Sequence, residues 1–274
     1  MNSQEKEFLV NKCSEIRRYT VHEIGTLGLG HIGGSLSAVD SLVTLYYRHM
    51  KVEPSNPSQE DRDRFVLSKG HAAPALYAIL ADQGFFPISE LDTLNKPGTN
   101  LPSHADANKA KGVDMTVGSL GQGLSAAAGM AKAAKLKDHE NKIYCMVGDG
   151  ECQEGEIWEA AMSAANFKLD NLIVFVDKNN GQVDNFVSEI MPVDPLGDKW
   201  KAFGFNVIEV SDGHDVEQID GAIELAKKFV GKPTAIILNT VKGKGVDFAE
   251  ELGYKNHHMN VSKEQMQKAI EGLQ

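Results

Sequence analysis

Two short segments of this chain set hard oxygen donors beside glycines. One is Gly148-Asp149-Gly150, and the other, after residues 151–178, is Asn179-Asn180 followed by Gly181. An aspartate flanked by glycines can bring its carboxylate and the neighbouring backbone amides close to a ligand. Asn179 offers an amide oxygen from the next loop. Donors of this kind suit magnesium, which keeps few protein ligands and fills its shell with water and phosphate oxygens. Alone, Gly-Asp-Gly is a commonplace surface turn and Asn-Asn a commonplace loop. Paired, each after an apolar run, they favour a metal and phosphate site.

The flanking pattern says which elements carry these segments. Residues 142–147 form an apolar run that predicts a buried strand ending at Gly148, and residues 172–176 predict the next strand. Residues 205–210 and 234–241 predict two more, with helical periodicity over 151–167, 216–230 and 263–273. Apolar strands alternating with helices predict an α/β fold, a doubly wound parallel sheet with helices on both faces. Such sheets bind ligands at the carboxyl ends of their strands, which here means Asp149 and the stretch from Asp177 to Gly181. A helix starting near Glu151 would add amide donors and a favourable dipole for anionic phosphates. Upstream, Leu9, Cys13, Ile16, Thr20 and Ile24 have helical spacing, the stretch from Gly28 to Gly34 ends that helix, and Ser35 is placed to cap a second helix running to Tyr47. No linker-like tract interrupts the chain, so residues 1–274 are read as one domain.

Composition narrows the function classes. The 274 residues are 42% apolar and 24% charged, ample for a core. A net charge of −10 is the wrong sign for a nucleic-acid or anionic-membrane binder. No apolar run approaches the roughly 20 residues of a membrane span, and the N-terminus has no secretion-signal pattern. Cys13, Cys145 and Cys152 form no spaced framework, which points to a reducing, cytoplasmic setting.

Gly28, Gly30 and Gly33 match G-x-G-x-x-G, with Glu53 at the offset expected of a dinucleotide fingerprint. That fingerprint must follow a strand, and the preceding segment here has helical spacing, so a nicotinamide enzyme is the weakest reading. His22, His49, His139 and His214 fit no metal-ligand pattern, and His214 in Asp-Gly-His-Asp is expected to cap a turn.

Further motifs run in order along almost the whole chain: Gly30-His31-Ile32-Gly33-Gly34, Ser68-Lys69-Gly70-His71, Gly118-Ser119-Leu120-Gly121-Gln122-Gly123, Asp212-Gly213-His214-Asp215 and Lys242-Gly243-Lys244-Gly245. With the GDG and NN pair, they resemble the N-terminal, diphosphate-binding half of transketolase, a thiamine diphosphate enzyme. The resemblance implies thiamine diphosphate held with Mg2+ or another divalent cation such as Ca2+ or Mn2+. It implies Asp149 and Asn179 as metal ligands through their side chains and Gly181 through its carbonyl. Gly150 and Asn179 would touch the diphosphate, and Gly118, Ser119 and Leu120 would lie against the rings of the cofactor. His31, His71, His104 and His257 match the active-site histidines, with His71 and His257 also near the cofactor. His104 sits in Leu-Pro-Ser-His-Ala-Asp where the family has Gly-His-Pro. Asn256-His257-His258 replaces a tryptophan-histidine context, so either histidine could serve, with His257 preferred.

Other matches stay open on the residues alone. Glu154 and Glu159 match glutamates between paired active sites, or are acidic residues in a helix's first turns. Trp158 is expected in the core or an interface, and Lys242 and Lys244 could neutralise phosphate or sit on a solvated loop.

The family's cofactor-activating glutamate and sugar-phosphate residues belong to a pyrimidine-binding domain that follows this segment in full-length enzymes. The resemblance therefore implies a half-enzyme of the pentose phosphate pathway type. Its partner would be a C-terminal transketolase subunit, in an α2β2 heterotetramer acting on sugar phosphates. The start at Met1 and the terminal helix favour a natural subunit over a fragment. A deoxyxylulose-phosphate synthase-like or unusual-sugar ketolase subunit is the first alternative. A non-catalytic cofactor-binding subunit is the second.

Overall fold

A computed structural model describes residues 1–273. Helix α1 (Ser3–Leu27) opens with a capping box between Asn2 and Glu5. It closes on Gly28 in the left-handed region, whose N–H donates to the Ile24 carbonyl. Leu9, Cys13, Ile16, Thr20 and Ile24 are its buried face, as their spacing predicts. Strand β1 (Leu29–Gly30), α2 (Ile32–Leu36) and α3 (Val39–Thr44) follow, the last continuing as a π-helical turn to His49. Ser35 does not cap a helix. It lies inside α2, its hydroxyl donating to the His31 carbonyl at 2.7 Å, because the chain turns helical immediately after His31.

The remaining elements are β2 (Arg64–Leu67), α4 (Ala73–Asp82), α5 (Gln122–Leu136), β3 (Ile143–Gly148), α6 (Gly155–Asn166), β4 (Leu172–Lys178) and α7 (Val187–Ile190). They are followed by α8 (Leu196–Ala202), β5 (Asn206–Val210), α9 (Val216–Lys228), β6 (Thr234–Asn239), α10 (Asp247–Leu252), β7 (Met259–Asn260) and α11 (Lys263–Gly272). Five strands form one parallel sheet in the order β2-β3-β4-β6-β5. Successive side chains of a strand leave opposite faces. Tyr144, Met146, Ile173 and Phe175 therefore join the core under α1, α3, α4 and α9, while Cys145, Val147, Val174 and Val176 join the core under α5, α6 and α8. Helices cover both faces, which is the doubly wound arrangement the sequence predicts. Each fully buried aliphatic or aromatic side chain in these layers stabilises the fold by roughly 1.5–3 kcal/mol.

Strand β2 and helices α4 and α5 are not anticipated by periodicity. β2 is four residues long and follows a charged stretch. α4 is buried on nearly every side, so it has no polar stripe to reveal its period. Helix α6 also starts later than expected. Residues 150–153 form a tight 3-10 turn, so the amides nearest Asp149 come from that turn and from the next loop.

Two further features place the site. β1 pairs antiparallel with β7, Leu29 opposite Asn260 and Gly30 opposite Met259, which sets His31 beside His257 and His258. Trp158 is half-buried and packs on the core against Trp200 and Phe203 at ring separations of 5.4 and 4.9 Å. Among the described residues, no helix is long and apolar enough to cross a membrane.

Candidate active site

The ends of β3 and β4 meet through register, Gly148 lying opposite Asp177. Asp149 follows directly and is almost fully buried. Its Oδ1 accepts from the Gly150 amide at 2.8 Å, and its Oδ2 from the Asn180 amide at 2.6 Å. Burial and the neighbouring Asp177 push its carboxyl up to about 6. Asn180 takes a left-handed backbone conformation, φ 54°, which asparagine tolerates well. That turn lets Asn179 Oδ1 accept from the Gly181 amide at 3.0 Å. Asn179 Nδ2 donates to Asp177 Oδ2 at 2.9 Å, so the amide oxygen faces the loop and not the sheet.

Behind this pair stands a buried ionic cluster. Asp177 ends β4 with no exposed surface and accepts from Ser37 Oγ at 2.7 Å and from Thr240 Oγ1, while pairing with the Lys69 ammonium. Burial opposes its ionisation, but Lys69 with the Thr240 and Ser37 hydroxyls outweighs it and holds the carboxyl at about 2. Lys242 enters from the loop after β6. Its Nζ donates to the Gly181 carbonyl at 2.8 Å and lies 3.4 Å from His257 Nδ1. Burial and Lys69 lower its pKa to about 8. A Cβ on Gly181 would lie 2.6 Å from Lys242 Cδ, so glycine is what lets this contact form. Lys244, in contrast, is partly exposed and 4.0 Å from Glu250, outside the cluster.

The histidines converge from four chain segments. The His31 ring lies 5.5 Å from His71, 5.4 Å from His104, 5.5 Å from His257 and 4.6 Å from His258. His71 and His257 are 4.8 Å apart. Burial lowers all four expected rings: His31 to about 4, His257 to about 3, and His71 and His104 in the same direction. The rings are therefore neutral near pH 7, able to accept or donate. His104 is held by Ser103 Oγ at 3.1 Å from its Nδ1, and Tyr77 donates to the carbonyls of Pro102 and His104 at 2.9 and 3.3 Å. Gly118, Ser119 and Leu120 form an exposed edge beside this cluster, Gly118 facing His104.

Glu151 and Asn256 organise the surrounding loops, and the sequence motifs assign neither a role. Glu151 is buried and accepts from Ser68 Oγ and from the Gly121 and Gly148 amides at 2.8 and 2.9 Å, joining three loops. Asn256 Nδ2 donates to the carbonyls of Lys242 and Ala249 at 3.1 and 2.7 Å. A Cβ on Gly33 would fall 1.8 Å from Asn256 Oδ1, so the glycine loop carrying His31 packs directly on this side chain. Asn256 opens the Asn256-His257-His258 stretch that replaces the tryptophan-histidine context of the resemblance. That departure is the one signal of its role in the sequence, and the close approach at Gly33 gives the departure its meaning.

Not every singled-out residue joins the site. Glu154, just before α6, and Glu159, on it, lie exposed. His22 pairs with Asp92 at 2.7 Å, and His139 lines a polar cleft of about 510 Å³ with Lys51, Glu53 and Arg62. His214 does not cap its turn through its ring. Asp212 accepts its backbone amide at 2.9 Å, and the imidazole reaches elsewhere.

The donor set fits a hard cation with a phosphate ester. Asp149, Asn179 and the Gly181 carbonyl supply oxygens that keep unused lone pairs. The Lys242 ammonium already stands on the Gly181 carbonyl as a protein-borne cation. Neutral imidazoles and buried lysines around it suit an anionic, hydroxylated ligand.

Comparison with known proteins gives the same direction. The family model described as "Transketolase, thiamine diphosphate binding domain" matches residues 10–271. A protein of Clostridium sp. (strain MSTE9), named 6-deoxy-6-sulfo-D-fructose transketolase subunit SqwG, is 51% identical over 99% of this chain and 98% of its own length. An apulose-4-phosphate transketolase subunit of Actinobacillus succinogenes is 40% identical over 97% of this chain and 95% of its own. The solved transketolase of Campylobacter jejuni superposes with a TM-score of 0.89 at 34% identity, covering 100% of this chain but 43% of that one.

Proposed function

The chain belongs to the transketolase family through its thiamine diphosphate-binding domain, and from that premise we propose that it is the N-terminal subunit of a split transketolase. It transfers a two-carbon ketol unit from a ketose phosphate to an aldose phosphate and is active only with a partner chain. One observation carries this reading. A metal-competent strand end and a histidine cluster stand together on a chain that spans 98% of a named transketolase subunit but 43% of a single-chain transketolase.

Asp149, Asn179 and the Gly181 carbonyl would hold the divalent cation, magnesium by donor type. Gly150, Asn179, His71, His257 and Lys242 would contact the diphosphate. Gly118, Ser119 and Leu120 give the cofactor rings an edge to lie against. When bound, thiamine diphosphate supplies the nucleophilic carbon and the electron sink for breaking the carbon–carbon bond of the ketose. His31, His71, His104 and His257 hydrogen-bond the sugar hydroxyls. As neutral rings they can take the proton leaving the donor's C3 hydroxyl and return one to the acceptor's oxygen.

The partner is a C-terminal transketolase subunit with a pyrimidine-binding domain, in an α2β2 assembly working in the cytoplasm on pentose phosphate chemistry. The terminal anion of the sugar is read by the partner, as the resemblance to transketolase implies. A second reading of the donor rests on the relative at 51% identity, whose name specifies a sulfonated ketose. Under it, the transferred unit is unchanged and a sulfonate replaces the phosphate.

Recovery of the tagged chain from its own cells, with mass identification of stoichiometric companions, tests the assignment. A companion of about 300 residues, the size of one or two domains, is expected. It should confer ketol transfer with a phosphorylated or sulfonated ketose. Full transfer by the chain alone with thiamine diphosphate and magnesium would refute the split enzyme.

A further inference from the structure

We propose that His214 is a positioning residue for the segment Val241–Gly245, and through it for Lys242. The inference rests on the reading of Lys242 as part of the cofactor site. His214 lies in the loop after β5, and its ring leaves that loop to meet two groups. Its Nε2 accepts from the Val241 amide at 2.8 Å, and its Nδ1 lies 2.6 Å from Asp40 Oδ2. An amide can only donate, so Nε2 is the unprotonated nitrogen and Nδ1–H donates to Asp40. One tautomer is thereby selected.

Asp40 acts on both ends of the same segment. Arg17 pairs with Asp40, and Arg17 Nε donates to the Lys244 carbonyl at 3.0 Å. One buried carboxylate on α3 thus holds Val241 through His214 and Lys244 through Arg17. Lys242 is the side chain between the two anchors. The segment has no regular structure of its own and contains two left-handed glycines, Gly243 and Gly245, with φ 88° and 86°. Its course is set from outside, by these anchors, by the Gly243 amide on the Gly33 carbonyl at 3.0 Å, and by Asn256 on the Lys242 carbonyl at 3.1 Å. The imidazole has no capping duty to explain it. Asp215 caps α9 by accepting from the Glu217 amide at 2.9 Å, and Asp212 accepts the His214 amide.

Three substitutions separate the two contacts of the ring. Gln at 214 places a carbonyl oxygen near the position of Nε2, so His214→Gln keeps an acceptor for Val241. Asn places its amide near Nδ1, so His214→Asn keeps a donor for Asp40 and loses the acceptor. His214→Ala loses both. Two measurements are made: amide hydrogen exchange over residues 238–246 of the full chain, and thiamine diphosphate affinity of the chain with its companion at saturating magnesium. We expect exchange at Val241 to rise about tenfold in His214→Ala and His214→Asn, with cofactor binding weakened about fivefold to tenfold, and both to recover in part in His214→Gln, which keeps the acceptor for Val241 without the anchor to Asp40. Wild-type behaviour of His214→Asn with failure of His214→Gln would overturn the proposal, because the Asp40 contact alone would then matter. So would faster exchange with unchanged affinity, or no change in any variant. If the wild-type complex binds no thiamine diphosphate, the cofactor reading itself fails. The exchange result still decides whether His214 holds the segment.

Discussion

The two ends of the parallel sheet bury charge in different ways. At the amino end, Asp114 takes Arg62, Arg64 at 3.3 Å and the Phe65 amide at 2.9 Å, while Asp63 accepts the amides of Lys51 and Lys142 at 2.8 and 2.7 Å. There Asp114 is matched by guanidinium and amide donors, and Asp63 by two amides alone, with burial pushing its carboxyl up. At the carboxyl end, Lys69 is matched by Asp177, but Lys242 rests on a neutral carbonyl and Asp149 is shifted up to about 6. Several histidines beside them are held neutral. Buried charge left without full compensation is a poor way to stabilise a fold. It leaves this end open to an anionic ligand such as the proposed cofactor.

The sharpest way to break this comparison is to remove one carboxylate from each end. Asp149→Ala should weaken magnesium-dependent thiamine diphosphate binding by the assembled enzyme by about 100-fold or more, since loss of even an outer partner of a metal site can cost that much. Its stability should fall by less than that of the Asp114 variant, because it strands two amides but no charge, and calorimetry at fixed magnesium gives the affinity. Asp114→Ala should do the reverse. It strands Arg62, so the chain loses about 3 kcal/mol or more in urea unfolding, with cofactor affinity of the folded protein unchanged. Equal effects on both properties from either substitution would dissolve the distinction.

Lys242→Met sharpens it further. The substitution relieves a buried ammonium, so the empty chain should be as stable as wild type or more so. Diphosphate affinity should fall about tenfold, the scale of one charge-assisted contact. Loss of stability together with affinity would make Lys242 a structural group.

The smallest effect concerns pH. His31 and His257 have folded pKa values of about 4 and 3, below the ordinary 6.5. Between those values and 6.5 the unfolded chain binds more protons, so stability rises with pH in that window and falls as pH drops below 6.5. Melting temperatures from pH 7 to pH 5 should therefore decline, and His257→Gln should shallow that decline. An unchanged slope would show that the rings do not carry the proton linkage.

Legibility in the sequence follows the range of the interaction. The metal-competent loops are readable because each oxygen donor sits directly after its own apolar strand, a local pattern. The long strands are readable for the same reason. β2 is not, because four residues after a charged stretch give no run to read, and α4 is not, because burial on every side erases the periodicity that marks an amphipathic helix. The histidines come from motif resemblance, and the antiparallel β1–β7 pair is what brings two distant motifs together. The Lys69–Asp177 pair joins residues 108 apart, and Asn256 meets Gly33 across most of the chain, so neither role has a local signature. His214 reads as a turn cap because its local motif is a turn, while its ring serves a partner 27 residues away.

The central claim is that this chain carries half of an active site. The direct measurement is ketol transfer from a phosphorylated and from a sulfonated ketose, with thiamine diphosphate and magnesium, using the chain alone and the chain with its companion. The account predicts transfer only with both chains present, and its loss when Asp149 is replaced by Ala. Transfer at an ordinary enzymatic rate by the chain alone, or transfer by the pair that survives that replacement undiminished, would contradict it.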